Sequence, residues 1–114
     1  MPEPSSLDLI IDTLRFDRQS CPAVLPFGPA EIRTVAIVSG GATRELSEAV
    51  EKGFDLYITG DASHTSYHLA LEEEINLLCA GHYQTETFGV AALAELLSRE
   101  KGLETTFIDA PTGL

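Results

Sequence analysis

Thr34-Val35-Ala36-Ile37-Val38-Ser39-Gly40-Gly41 is a continuous apolar, β-branched run that stops on two glycines. A run apolar at every position, rather than at alternate ones, fits a strand buried on both faces, as in a parallel sheet, and the glycines mark the turn that ends it. Leu46, Ala49 and Val50 then repeat at helical spacing, with Thr43 expected to cap the start and Gly53 to end the helix. The alternation continues. Asp55-Leu56-Tyr57-Ile58-Thr59 reads as a strand with Gly60 as its turn, Tyr67, Ala70 and Leu71 mark a second helix, and Ile75 to Ala80 a third strand. Val90, Leu93, Ala94 and Leu97 carry a longer helix that Gly102 ends, and Thr105-Thr106-Phe107-Ile108 is expected as a fourth strand. Strands alternating with helices predict an α/β fold: a mainly parallel sheet of about four strands, joined by right-handed crossovers, with helices on its faces.

The chain before this pattern reads differently. Leu7, Ile10, Ile11 and Leu14 predict a short amphipathic helix, with Ser5 and Asp8 at capping-box spacing. Pro22, Pro26, Gly28 and Pro29 follow as an irregular connector. The expected organisation is an N-terminal helix and connector over residues 1–32 and an α/β domain over 33–114. No internal repeat or low-complexity tract interrupts either.

At 114 residues the chain is one domain at most by length. Its hydrophobic fraction of 44% and mean hydropathy of +0.07 describe a globular chain, and no apolar run is long enough for a membrane span. Met1-Pro2-Glu3-Pro4-Ser5-Ser6 lacks the basic start and apolar core of a secretory signal, so the cytoplasm is the expected compartment. A net charge of -11, with seven scattered Lys and Arg, argues against direct nucleic-acid binding and against anionic lipid. Polyanionic substrates are disfavoured too, unless a bound cation reverses the local field. Glu72-Glu73-Glu74 reads as a solvated helix end. Cys21, before a proline, and Cys79, in the apolar run Leu77-Leu78-Cys79-Ala80, read as incidental or buried thiols rather than a disulfide or a soft-metal site.

Chemistry concentrates in Gly81-His82-Tyr83-Gln84-Thr85-Glu86. An imidazole and a carboxylate four residues apart share one face of a helix and can converge on one cation. The same spacing is common on solvated helix faces with no task. Glu86 near a helix start stays ionised in the positive end of the dipole, as a ligand must. His82 must present a neutral ring nitrogen while its other nitrogen is held by an acceptor that the sequence does not identify.

Taken with Ile58-Thr59-Gly60-Asp61 and His68 upstream and Phe107-Ile108-Asp109 downstream, this segment resembles the C-terminal half of the NIF-three-like family, dinuclear metal-binding proteins described as GTP cyclohydrolase I type II homologues. The resemblance runs in unbroken order from about Arg33 to Asp109. It implies one half of a larger two-part α/β protein, with His82 and Glu86 as metal ligands and two divalent ions (zinc, iron, manganese or another) per complete site. The family's remaining ligands, an adjacent histidine pair among them, belong to the first half, and no two histidines are adjacent here. Two side chains and water fall short of the four to six donors such ions take, so the isolated chain reads as half a site.

The resemblance further implies Gly60 and Asp61 lining the site, where the alternative is a plain strand-to-helix turn with Asp61 as the helix cap. It implies for His68 a task in supporting a ligand or transferring a proton, against an ordinary helix-face histidine. His64 reads as a surface residue, Thr85 as a helix cap, and Tyr83 has no assigned role. Ser39-Gly40-Gly41 could cradle an anion with its amides, but lacks the spacing of a phosphate-binding loop and reads better as a tight turn. The reaction class implied is metal-assisted hydrolysis, extending in the family to opening of a purine nucleotide ring. The leading functional expectation is the C-terminal half of a dinuclear hydrolase-like protein, enzymatic only when the first half is supplied. The second is a noncatalytic oligomeric interaction or scaffold module that has lost or never completes the metal site, and a third is a nucleotide-binding module using Gly40 and Gly41. A homo-oligomer is expected, because a half-protein exposes apolar surface that its other half would cover.

Overall fold

A computed structural model describes residues 3–113. Four strands form one sheet in the order β1-β4-β3-β2, where β1 is Ala23–Leu25, β2 is Val35–Ile37, β3 is Leu56–Thr59 and β4 is Asn76–Cys79. β2, β3 and β4 are parallel, in register Val35↔Leu56 and Leu56↔Asn76. Helices α2 (Leu46–Glu51) and α3 (His64–Glu72) make the two crossovers, while α1 (Leu7–Thr13) precedes the sheet and α4 (His82–Lys101) follows it.

The sheet is buried because its central strands are apolar on both sides: every residue of β3 and β4 is buried. Alternation along the strands sorts them between two cores. Leu56, Ile58, Leu78 and Ala80 pack under α1 with Leu7, Ile10, Ile11 and Ile32. Tyr57, Leu77 and Cys79 pack under α2 and α3 with Leu46, Ala49, Ala70 and Ile75. Each fully buried Leu or Ile contributes about 1.5–3 kcal/mol by leaving water. The N-terminal segment therefore shares the sheet's core. Asn76, buried at the start of β4, fixes its path: the side chain donates to the Pro29 carbonyl (2.8 Å) and the Asp55 carbonyl (3.1 Å) and accepts from the Gly28 amide (3.1 Å).

Several expectations need correction. The fourth strand is Ala23–Leu25, antiparallel to β4 with Ala23↔Cys79, and it lies inside the segment expected to be an irregular connector. Three residues between Pro22 and Pro26 are too few to show a period, and an edge position tolerates the flanking prolines. Thr105–Ile108 is not a strand; residues 102–113 have no regular structure and run back beside α4, where the Thr105 hydroxyl donates to the Ala94 carbonyl at 3.1 Å. Its β-propensity finds no neighbouring strand to pair with. The cap of α1 is Ser6, accepting from the Leu9 amide, whereas Ser5 bridges to Ile32. Thr43 begins a 3-10 turn and makes no cap. Gly53 (φ +74°) and Gly102 (φ +64°) do follow α2 and α4 in the left-handed conformation, as expected of terminating glycines.

α4 runs for 20 residues, starting well before Val90, and Thr85 is its one buried residue. The radius of gyration is 15.2 Å, against ~13 Å for a compact chain of this length. Among the described residues no helix is long and apolar enough to cross a membrane.

Candidate metal site at the strand ends

β3 and β4 stop level, Thr59 beside Cys79, and the backbone beyond them is stitched through glycines. The amides of Gly60 and Asp61 both donate to the Gly40 carbonyl (2.9 and 3.0 Å), and the Gly81 amide donates to the Gly60 carbonyl (3.0 Å). A Cβ on Gly60 would sit 2.5 Å from the Gly40 oxygen and 2.8 Å from both the Gly81 oxygen and the His82 Cα, so only glycine fits there. Three turns are thereby drawn together, and each delivers part of the site.

α4 begins at His82 itself, which sets the imidazole directly over the strand ends. Its Nδ1 lies 3.1 and 3.2 Å from the two Asp61 carboxylate oxygens, and its Nε2 lies 3.3 Å from Glu86 Oε1 one turn along. Asp61 is therefore the acceptor that holds the second ring nitrogen. It does not cap α3; Ser63 does, in a capping box with Ser66. The hydrogen bond to Asp61, reinforced by the charges of Asp61 and Glu86, raises the His82 pKa against a smaller opposing effect of desolvation. The three side chains remain about half exposed (43, 48 and 54% for His82, Asp61 and Glu86), open to a ligand.

Gly40 and Gly41 form the wall opposite. A Cβ on Gly40 would fall 2.6 Å from Glu86 Oε1 and 3.3 Å from His82 Nε2, and one on Gly41 would fall 2.7 Å from Asp61 Oδ2. The Gly40 amide is not free to cradle an anion, because it donates to the Thr85 hydroxyl at 2.9 Å. Thr85 is not the helix cap that its sequence position suggests; it is buried in the first turn of α4, its hydroxyl within donating distance of the Gly81 and His82 carbonyls, and it locks α4 to the Gly40 turn. Nothing in a lone threonine signals a partner forty-five residues away.

An imidazole nitrogen and a carboxylate oxygen converging beside a wall without Cβ atoms suit a divalent cation in donor type and in space. In number they are two. Among the described residues no group of three His, Cys, Asp or Glu side chains is arranged to hold a metal. His68 lies exposed on α3 with its ring edge-on to Tyr67, and makes no hydrogen bond or ion pair with Asp61, His82 or Glu86. His64 is exposed at the start of α3. Cys79 is buried and its pKa is pushed up to about 12, first by desolvation and then by Asp61, so it stays a neutral thiol. Burial also raises the Cys21 pKa, and both thiols are free. Tyr83, given no role from sequence, donates its hydroxyl to Asp109 and accepts from the Ala110 amide at 2.9 Å, pinning the C-terminal segment beside the first turn of α4.

The profile of the Duf34/NIF3 (NGG1p interacting factor 3) family matches residues 1–113. The chain is 47% identical over 91 residues to a Treponema pallidum protein named GTP cyclohydrolase 1 type 2 homolog, covering 80% of this chain and 32% of that one. A protein of the same name from Pyrococcus horikoshii is 41% identical over 116 residues, covering 98% of this chain and 45% of that one. The crystal structure of TTHA1606 from Thermus thermophilus superposes with a TM-score of 0.80 at 38% identity, over 97% of this chain and 44% of that one. The chain thus spans between about a third and under half the length of these relatives. By profile, sequence and fold together, it belongs to the Duf34/NIF3 family.

Proposed function

We propose that His82 and Glu86 are the share this chain contributes to a divalent-metal centre in a hydrolase-like protein. The observation that carries this reading is the 3.3 Å convergence of His82 Nε2 and Glu86 Oε1 while Asp61 holds Nδ1. Asp61 holds Nδ1, so Nε2 is the ring nitrogen on the Glu86 side and is the one that a metal would take in place of its proton. Gly40 and Gly41 leave the approach open on the strand side. A divalent ion held there would act as a Lewis acid on a substrate oxygen and open the attached carbon to attack by water. Two protein donors hold such an ion weakly, so tight binding and turnover require further donors. The relatives' shared name suggests hydrolytic opening of a purine nucleotide as the reaction of the complete centre; for this chain that substrate is part of the proposal.

Metal content after purification without added metal or affinity tag tests the reading. Bound zinc, iron or manganese should be weak and dialysable, and lower still in His82→Ala and Glu86→Ala. Equal metal content in both variants and the parent would sink it.

A further inference from the structure

Beyond the metal reading, we propose that the cleft between the end of α1, the first two turns of α4 and the C-terminal segment binds a free aromatic α-amino acid. The cleft holds about 590 Å³, within the ~300–1,000 Å³ of small-molecule sites. Phe16, Phe88 and Phe107, three of the chain's five phenylalanines, wall it. Phe16 meets Phe88 edge-on at 5.6 Å between ring centroids, yet Phe88 and Phe107 stay 47 and 43% exposed, so aromatic surface is left for another ring. This cleft is not the metal site. At roughly 100° per residue, Tyr83, Thr87 and Phe88, which line it, fall on the side of α4 turned away from His82 and Glu86.

The rim supplies a partner for each charge of an amino acid. Arg15 follows the last turn of α1: its amide donates to the Asp12 carbonyl (3.0 Å) and that of Phe16 to the Ile11 carbonyl (3.2 Å), the pairing of a Schellman motif with Arg15 in the place usually held by glycine. Its φ of +60° is one that glycine adopts without strain and arginine does not. Local stability favours glycine there, so the side chain has another reason to be present. Its guanidinium lines the cleft and makes no hydrogen bond or ion pair among the described residues, although Asp12 and Asp17 flank it in the chain. A planar fork of donors beside aromatic walls suits a carboxylate. Of the two carboxylates on the rim, Asp17 has both oxygens engaged, by the Gln19 amide (3.1 Å) and the Ser20 hydroxyl (2.8 Å). Asp109 accepts from the Tyr83 hydroxyl through Oδ1 alone, which leaves Oδ2 for an ammonium group. Together they select a zwitterion. A net-neutral ligand also approaches a chain of charge -11 without the repulsion that a simple aromatic acid meets.

NMR titration of the isotope-labelled intact chain with L-phenylalanine, L-tyrosine and L-tryptophan, with a chelator present so that metal plays no part, reads this directly. At least one of the three should give saturable shifts centred on Arg15, Phe16, Phe88 and Phe107. Phenylpropionate, which lacks the ammonium, phenethylamine, which lacks the carboxylate, and L-leucine, which lacks the ring, should each bind at least about tenfold more weakly. Arg15→Gly separates binding from folding, because it removes the guanidinium and the backbone strain together. That variant should lose at least about tenfold in affinity while its urea midpoint stays equal or rises. The comparison of ligands on the unaltered chain stands by itself if the variant does not fold. No saturable shift with any of the three amino acids, equal affinity for leucine or for either singly charged analogue, or undiminished binding by a folded Arg15→Gly variant would overturn the proposal. None of these outcomes depends on whether His82 and Glu86 bind metal.

Discussion

Asp61 and His82, twenty-one residues apart in the chain, meet at 3.1 Å because β3 and β4 are parallel neighbours that end level. The contact assigns one ring nitrogen to the Asp61 carboxylate and leaves the other on the Glu86 side.

Replacing Asp61 by Asn therefore lowers the His82 pKa toward its ordinary value of about 6.5, measurable by the NMR titration of the ring protons. The sign of the pH dependence follows. Because the folded-state pKa is raised, the stability that His82 contributes is fully present below its unfolded pKa and is lost as pH rises through the raised value. On the proposed metal reading, the ion and the proton compete for the ring, so metal binding should weaken as pH falls through that raised value. Loss of the carboxylate should also cost about 10–100-fold in metal affinity. An unchanged titration midpoint in Asp61→Asn would contradict the assignment.

Gly60→Ala should be among the most damaging small substitutions. Its Cβ would meet three backbone atoms at 2.5–2.8 Å, none of which can rotate away. A loss of about 3 kcal/mol or more in denaturant unfolding is expected, or failure to fold. Gly41→Ala is the control. There the colliding atom is the tip of the Asp61 side chain, so the fold should survive while the His82 pKa falls as Asp61 is displaced. Equal destabilisation by the two would count against the glycine assignments.

Thr85→Val keeps the shape and removes the acceptor for the Gly40 amide. Leaving that buried donor unpaired should cost about 1–3 kcal/mol, read as a lower midpoint in urea at unchanged slope. A neutral effect would mean that the turn finds another partner.

Legibility in the sequence followed the length of the signal. The runs at 34–38, 55–59 and 75–80 became the three parallel strands, but only the last two are buried on both faces. β2, expected to be buried too, is an edge strand, with Ile37 64% and the following Val38 40% exposed, because a continuous apolar run does not report its place in the sheet. β1 is three residues between prolines, and its pairing with β4 depends on a partner more than fifty residues away. Thr105–Ile108 carries the composition of a strand, yet Tyr83 and Ala94 hold its segment against α4. The approach of His82 to Glu86 was legible because four residues is about one helical turn. Asp61 was visible as a neighbour of the site, but its hold on the imidazole depends on sheet register, and the tie from Thr85 to Gly40 depends on how the glycine turns stack. Local spacing reports neither.

The most direct test of the metal reading is to locate a weakly bound ion rather than count it. Substoichiometric Mn²⁺ added to isotope-labelled chain should broaden NMR signals first at Gly40, Gly41, Asp61, His82 and Glu86, and Glu86→Gln should remove that pattern. Broadening centred instead on Glu72-Glu73-Glu74, or a pattern at the strand ends that survives Glu86→Gln, would contradict the claim that His82 and Glu86 together receive the metal.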